Sequence, residues 1–134
     1  YDPAGISDLF LLEKMGTPPL AELVIGLQRD EQFGLILTLG SGGILVELLG
    51  DSKTLLLPTD ASRIEAALKS LKVFSLLNGF RGQPKADITA VSQTIAGVCA
   101  YVQNAPQVFH EVEINPLFIY ENGMLAVDAL VAHS

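Results

Sequence analysis

The sequence has no tryptophan, one cysteine and two histidines in 134 residues. One thiol excludes an internal disulfide, and with so few histidines no Cys/His cluster at zinc-ligand spacing can form. Basic residues are also scarce: eight Lys plus Arg stand against fifteen Asp plus Glu, for a formal net charge of −7, with no basic run of five or more. That balance argues against a protein that neutralises a nucleic-acid backbone. Charged residues make up only 17% of the chain and hydrophobic residues 49%, with a mean hydropathy of +0.41, which excludes disordered and collagen-like classes. A chain this long fits one compact domain, burying roughly two thirds of its unfolded surface.

A membrane span is missing too. The one tempting stretch, Phe33 to Gly50, contains Glu47 and five glycines and is bracketed by Asp30, Glu31 and Asp51 without a cationic flank, so it reads as strands joined at a glycine turn. Tyr1 to Asp8 has neither a cationic n-region nor an apolar h-region, so no signal peptide is expected and the location expected is cytoplasmic. A start at Tyr1 rather than Met suggests a piece of a longer protein.

Residues 1–8, with Pro3 and Gly5, read as linker, and residues 9–134 as the folded unit. Leu9 to Met15 reads as a short strand, stopped by Pro18 and Pro19. From Ala21 to Gln28, Leu23, Ile25 and Leu27 alternate with Glu22, Val24, Gly26 and Gln28, the period of a half-buried strand. Leu35 to Leu39 and Ile44 to Leu49 read as further strands of a meander, separated by Gly40-Ser41-Gly42-Gly43. A helix capped by Thr59 or Asp60 follows, with Ile64, Ala67, Leu68 and Leu71 on one stripe, ending at Asn78-Gly79. A second helix starts near Asp87 and carries Ile88, Val91, Ile95, Val98 and Val102. After Pro106 come strand, turn, strand, turn, strand, with Asn122-Gly123 as the hairpin signal. The pattern predicts an α+β domain: a mostly antiparallel sheet with two main helices on one face.

The residues richest in chemistry lie between His110 and Asp128. Period two sends Val112 and Ile114 to the core and Glu111, Glu113 and Asn115 to the other face. A two-residue turn at Asn122-Gly123 pairs Leu117 with Asp128 and, if the strand runs through Pro116 without a bulge, puts Asp128 on the Asn115 side as its diagonal neighbour, about 7–8 Å away. One or two carboxylates and an amide suit Mg²⁺ carried by a nucleotide, since the remaining ligands can be water and phosphate. A solvated acidic strand face is the plainer alternative, but an aspartate is out of place in the apolar run Leu125 to Val131. Elsewhere, the Gly40–Gly43 turn either approaches phosphates or is a simple hairpin; it lacks the GK[ST] ending of a P-loop. Arg81, between Gly79 and Gly82, is either an anion clamp or a solvated loop residue. Glu13 and Glu22, acids in or beside apolar strands, suit a hydrogen bond to a ribose or an arginine, or simple edge exposure. Cys99 reads as a small core residue.

Four segments taken in order, AELVIGLQRDEQFG, LGSGGILVELLGDS, LLNGFRGQPKAD and EVEINPLFIYENGMLAVDA, resemble the C-terminal part of the ATP-grasp domain of ADP-forming acyl-CoA synthetases, a family similar to succinyl-CoA synthetase β subunits. The resemblance runs from about Leu9 to His133. It implies an enzyme making acyl-CoA from a carboxylic acid, CoA and ATP, releasing ADP and phosphate through an acyl phosphate and a phosphohistidine. It implies that Asn115 and Asp128 hold Mg²⁺ on the nucleotide phosphates and that Glu113 lies by those phosphates and assists transfer. Glu13 falls in the strand lining the adenine side, Gly42, Gly43 and Glu47 match the motif beneath the nucleotide, and Arg81 matches a GxRG arginine, expected with Glu113 to be catalytic. The other ATP-grasp half, the CoA-binding domain and the phosphohistidine domain have no counterpart in these residues, and neither His110 nor His133 matches the phosphohistidine motif. The expectation is therefore half of a nucleotide clamp, inactive alone and working with remaining synthetase domains or a subunit. The other expectation left open is a ligand-sensing module of a regulatory protein, such as an acetyltransferase fusion.

Overall fold

Alternation along residues 21–30 gives the sheet its central strand in a computed structural model, which describes residues 18–42 and 50–133. Strand β1, Ala21–Asp30, buries Leu23, Ile25 and Leu27, each 3% exposed or less, and turns Glu22, Val24, Gly26 and Gln28 to the opposite face. Asp30 closes the following turn by accepting from the Gln32 and Phe33 amides, at 2.8 and 3.0 Å. Strand β2, Gly34–Ser41, then returns antiparallel to β1.

The third strand of the meander is a correction to the sequence reading. The partner of β2 is β3, Ser52–Leu56, with Gly40 opposite Ser52 and Ile36 opposite Leu56. The expected strands at residues 9–15 and 44–49 lie outside the described residues. Residues 52–56 carry no strand signal in the sequence, because burial there is slight and little alternation marks an edge.

Both helices follow their caps. In α1, Ala61–Lys69, the Asp60 carboxylate accepts from the Arg63 amide at 2.8 Å; in α3, Ile88–Asn104, Asp87 accepts from the Ala90 amide at 3.0 Å. Between them, α2, Phe74–Leu77, ends at Asn78, and Gly79 takes a left-handed φ of 84°. Ile64 and Leu68 of α1 and Val91, Ile95, Val98 and Val102 of α3 join the inward residues of β1 and β2 in one apolar cluster. Each such buried side chain contributes about 1.5–3 kcal/mol. The helices therefore cover one face of the sheet, and among the described residues no helix lies on the face of Glu22, Val24 and Gly26.

Strand β4, Phe109–Tyr120, lies on the other side of β1, and its outer edge is shared. Strand β5, Gly123–Ala126, pairs with its second half and β6, Ala129–His133, with its first half, so the sheet reads β3-β2-β1-β4-β5 with β6 also on β4. No helix among the described residues is long and apolar enough to cross a membrane.

Candidate functional site

Strand β4 is irregular where its chemistry is concentrated. Against β1, Leu117 opposes Leu23 and Ile114 opposes Ile25, so Asn115 and Pro116 together face Val24 alone, a β-bulge. A proline, with no N–H for the ladder, is accommodated at such a point. The bulge changes the phase of burial: Val112 and Ile114 point into the core before it, Leu117 and Ile119 after it. Glu113 and Asn115 consequently stand on the face opposite the core, as the spacing predicts.

On the opposite edge the register is unbroken from Tyr120 back to Glu111, and it differs from the one the Asn122-Gly123 turn predicts. Tyr120 pairs with Gly123, making Glu121 and Asn122 the turn residues rather than Asn122 and Gly123. From Glu111 to Tyr120 each pair shifts by two, so Leu117 faces Ala126 and Ile114 faces Ala129. Asn115 therefore lies directly opposite Asp128, and its backbone N–H donates to the Asp128 carbonyl at 3.1 Å. Because of the bulge, Leu117 faces the core while Asn115 faces away from it, so it is this shifted register that sets Asp128 on the face of Asn115. Nor is Asp128 inside a continuous strand: β5 ends at Ala126 and β6 begins at Ala129, so the residue disfavoured in a ladder occupies the break.

Three side chains converge there. Glu113, half-buried, and the exposed Asn115 and Asp128 line a shallow depression of about 250 Å³ with Ala129 and Leu130. The Asn115 Nδ2 group donates to Glu113 Oε1 at 3.3 Å, which leaves Asn115 Oδ1 as an oxygen donor for a ligand. Among the described residues no group of three His, Cys, Asp or Glu could hold a metal by itself. Two carboxylates and an amide oxygen nevertheless fit Mg²⁺, which takes few protein ligands and keeps waters and substrate phosphates.

Gly42 and Glu22, separated by twenty residues, are brought into contact. The Gly42 amide donates to the Glu22 carbonyl at 2.8 Å, and a Cβ on Gly42 would lie 2.8 Å from the Glu22 Cβ, so the approach requires glycine. Glu13, Gly43 and Glu47 lie outside the described residues.

Arg81 is elsewhere. Its φ of 51° falls in the left-handed region between two positive-φ glycines, and its guanidinium stands 5.2 Å over the Phe80 ring. Phe80 borders a separate cleft of about 520 Å³ with Pro18, Pro19, Tyr120 and Glu121, which shares no lining residue with the Glu113 depression. Tyr120 is five residues along β4 from Asn115, about 17 Å at strand rise. The structure does not bring Arg81 together with Glu113.

Asp51 went unread in the sequence. It is 6% exposed, and its carboxylate accepts the Ser41 hydroxyl, the Lys72 amide at 2.6 Å and the Val73 amide at 2.9 Å. Burial raises its pKa, but the Ser41 hydroxyl, the two amides and the Lys72 charge outweigh that and hold it below the ordinary value. A sequence signal existed, an acid two residues after an apolar run, but its partners lie ten to twenty-two positions away. Cys99 is buried, as expected, and burial pushes its thiol up to about 11.

The chain has counterparts among known proteins. Residues 1–132 match the family described as the ATP-grasp domain. A trans-feruloyl-CoA synthase from an unknown prokaryote is 32% identical over 98% of this chain and 18% of its own length. The β subunit of ADP-forming acetate–CoA ligase I from Pyrococcus furiosus is 34% identical, over 81% of this chain and 46% of the subunit. Among solved structures, the dinucleotide-forming acetyl-coenzyme A synthetase 1 of Ca. Korarchaeum cryptofilum, in complex with coenzyme A and Mg-AMPPCP, superposes with a TM-score of 0.78. It is 34% identical, over 88% of this chain and 55% of that one. The chain spans less than half the length of each of these two curated relatives.

Proposed function

This chain belongs to the ATP-grasp domain family, and on that premise we propose that it is the nucleotide- and Mg²⁺-binding part of an ADP-forming acyl-CoA synthetase. Its relatives include ADP-forming acetate–CoA ligases. The observation that carries the reading is the facing of Asn115 and Asp128, with Glu113 beside them in the same depression.

In this reading Asn115 Oδ1 and the Asp128 carboxylate hold Mg²⁺, which supplies charge neutralisation to the nucleotide phosphates when bound. Glu113, with its carboxylate oriented by the Asn115 amide, lies by the phosphates and assists transfer to a histidine supplied by the rest of the enzyme. The β1–β2 end, Glu22 with Gly42, is the nucleotide edge; Glu13, Gly43 and Glu47 belong to the same assignment. Arg81 acts as a clamp for an anionic group at its own loop. CoA and a carboxylic acid are the other substrates, engaged by the parts that the relatives carry beyond this length.

Calorimetric titration of the chain with ADP, with Mg²⁺ and then with EDTA, tests the metal assignment. Saturable binding weakened at least about tenfold by EDTA is expected; binding indifferent to the metal would overturn it. In the assembled synthetase, γ-labelled ATP is expected to leave label on a histidine, and an unlabelled, folded assembly would contradict the transfer reaction.

A further inference from the structure

Asp51 is the one buried carboxylate among the described residues, and its bonds run in two directions. Two of its donors, the Lys72 and Val73 amides, belong to the turn between α1 and α2 on the helical side. The third is the hydroxyl of Ser41, the last residue of β2, itself fully buried. The backbone repeats the link, because the Ser41 N–H donates to the Asp51 carbonyl at 3.0 Å.

The next residue is Gly42, pressed against Glu22 without room for a Cβ. The end of β2 is thus held from two sides, by β1 through Glu22 and by the helical layer through Asp51. An apolar side chain at 51 would fill space, but it would fix no direction. A carboxylate accepting three hydrogen bonds sets where Ser41, and hence the Gly42 amide, must lie.

We infer that Asp51 is a positioning residue for nucleotide binding: it acts through Ser41 to fix the β1–β2 edge at Gly42 and Glu22. The inference rests on the nucleotide-binding reading above and adds a residue outside that site's own contacts. A merely structural Asp51 would alter stability alone, whereas a positioning Asp51 also alters affinity in protein that remains folded.

The test is calorimetric titration of this chain with Mg-ADP, well below the melting temperature, for wild type and four variants. Asp51→Asn is expected to weaken affinity about tenfold, the scale of one charge-assisted hydrogen bond, and Ser41→Ala to weaken it in the same direction by less. Ser41→Ala keeps the test decisive if Asp51→Asn does not fold. Leu68→Ala, a core truncation in α1, lowers stability and leaves affinity unchanged. Wild-type affinity in both Ser41→Ala and a folded Asp51→Asn would overturn the inference, as would equal weakening in Leu68→Ala. Absence of saturable wild-type binding, or binding that survives Asn115→Ala, would instead overturn the nucleotide reading and this inference with it.

Discussion

Asn115 and Asp128 face each other directly across the outer edge of β4, joined by the bond from the Asn115 N–H to the Asp128 carbonyl. Directly opposed residues have Cα atoms about 4.5–5.5 Å apart, inside the range a disulfide can close. The double substitution Asn115→Cys with Asp128→Cys is therefore expected to cross-link under mild oxidation. Leu117→Cys with Asp128→Cys, opposed in the alternative register, is expected to stay reduced. The reverse outcome, read by mass spectrometry, would place the turn at Asn122-Gly123.

Gly42→Ala puts a methyl 2.8 Å from the Glu22 Cβ. The Gly42 amide is also bonded to the Glu22 carbonyl, so relief requires moving the end of β2 against β1. A loss of about 1–3 kcal/mol is expected in urea unfolding, while the same change at Gly97, where a Cβ meets nothing within 4 Å, is expected to stabilise or be neutral, since alanine favours the helix by up to ~1 kcal/mol. Equal effects at the two glycines would refute the close approach.

The folded-state pKa of Asp51 lies below its ordinary value. A lowered carboxylate contributes stability above the unfolded pKa, roughly 3.9, and loses it as pH falls through the folded value. Stability measured from pH 6 downward should thus include an acid-side loss below about pH 4 that is diminished in Asp51→Asn. An identical pH profile in the variant would contradict this assignment of the proton.

The alternation in β1, the stripes of α1 and α3 and the caps at Asp60 and Asp87 were legible because each is a local pattern that burial merely completes. Glu113 and Asn115 were legible for the same reason, since period two puts them on one face; Asp128 joins them through a register and a bulge that differ from the expected ones. The register was not. Asn-Gly is a strong turn signal, but core packing of Leu117, Ile119 and Met124 is satisfied with Gly123 in the ladder, and tertiary packing prevailed over turn propensity. Nor could the sequence reveal β3, whose exposed edge lacks alternation, or Asp51, whose donors arrive from β2 and from a turn beyond α1.

Cys99 is buried on α3 and its thiol is pushed up to about 11. Little thiolate exists at pH 8, so a disulfide reagent such as DTNB is expected to leave the native chain unmodified over minutes and to titrate one thiol in denaturant. Rapid native labelling would show an exposed or activated cysteine instead.

In the proposed function the face holding Asn115 and Asp128 binds Mg²⁺ with a nucleoside diphosphate. The most direct test compares Mg-ADP titrations of the wild-type chain and an Asn115→Ala, Asp128→Ala double variant of unchanged fold. Both side chains are exposed, so truncating them should cost within about 0.5 kcal/mol of stability each. The account predicts saturable binding in the wild type that disappears in the double variant; binding of equal affinity in both would contradict it.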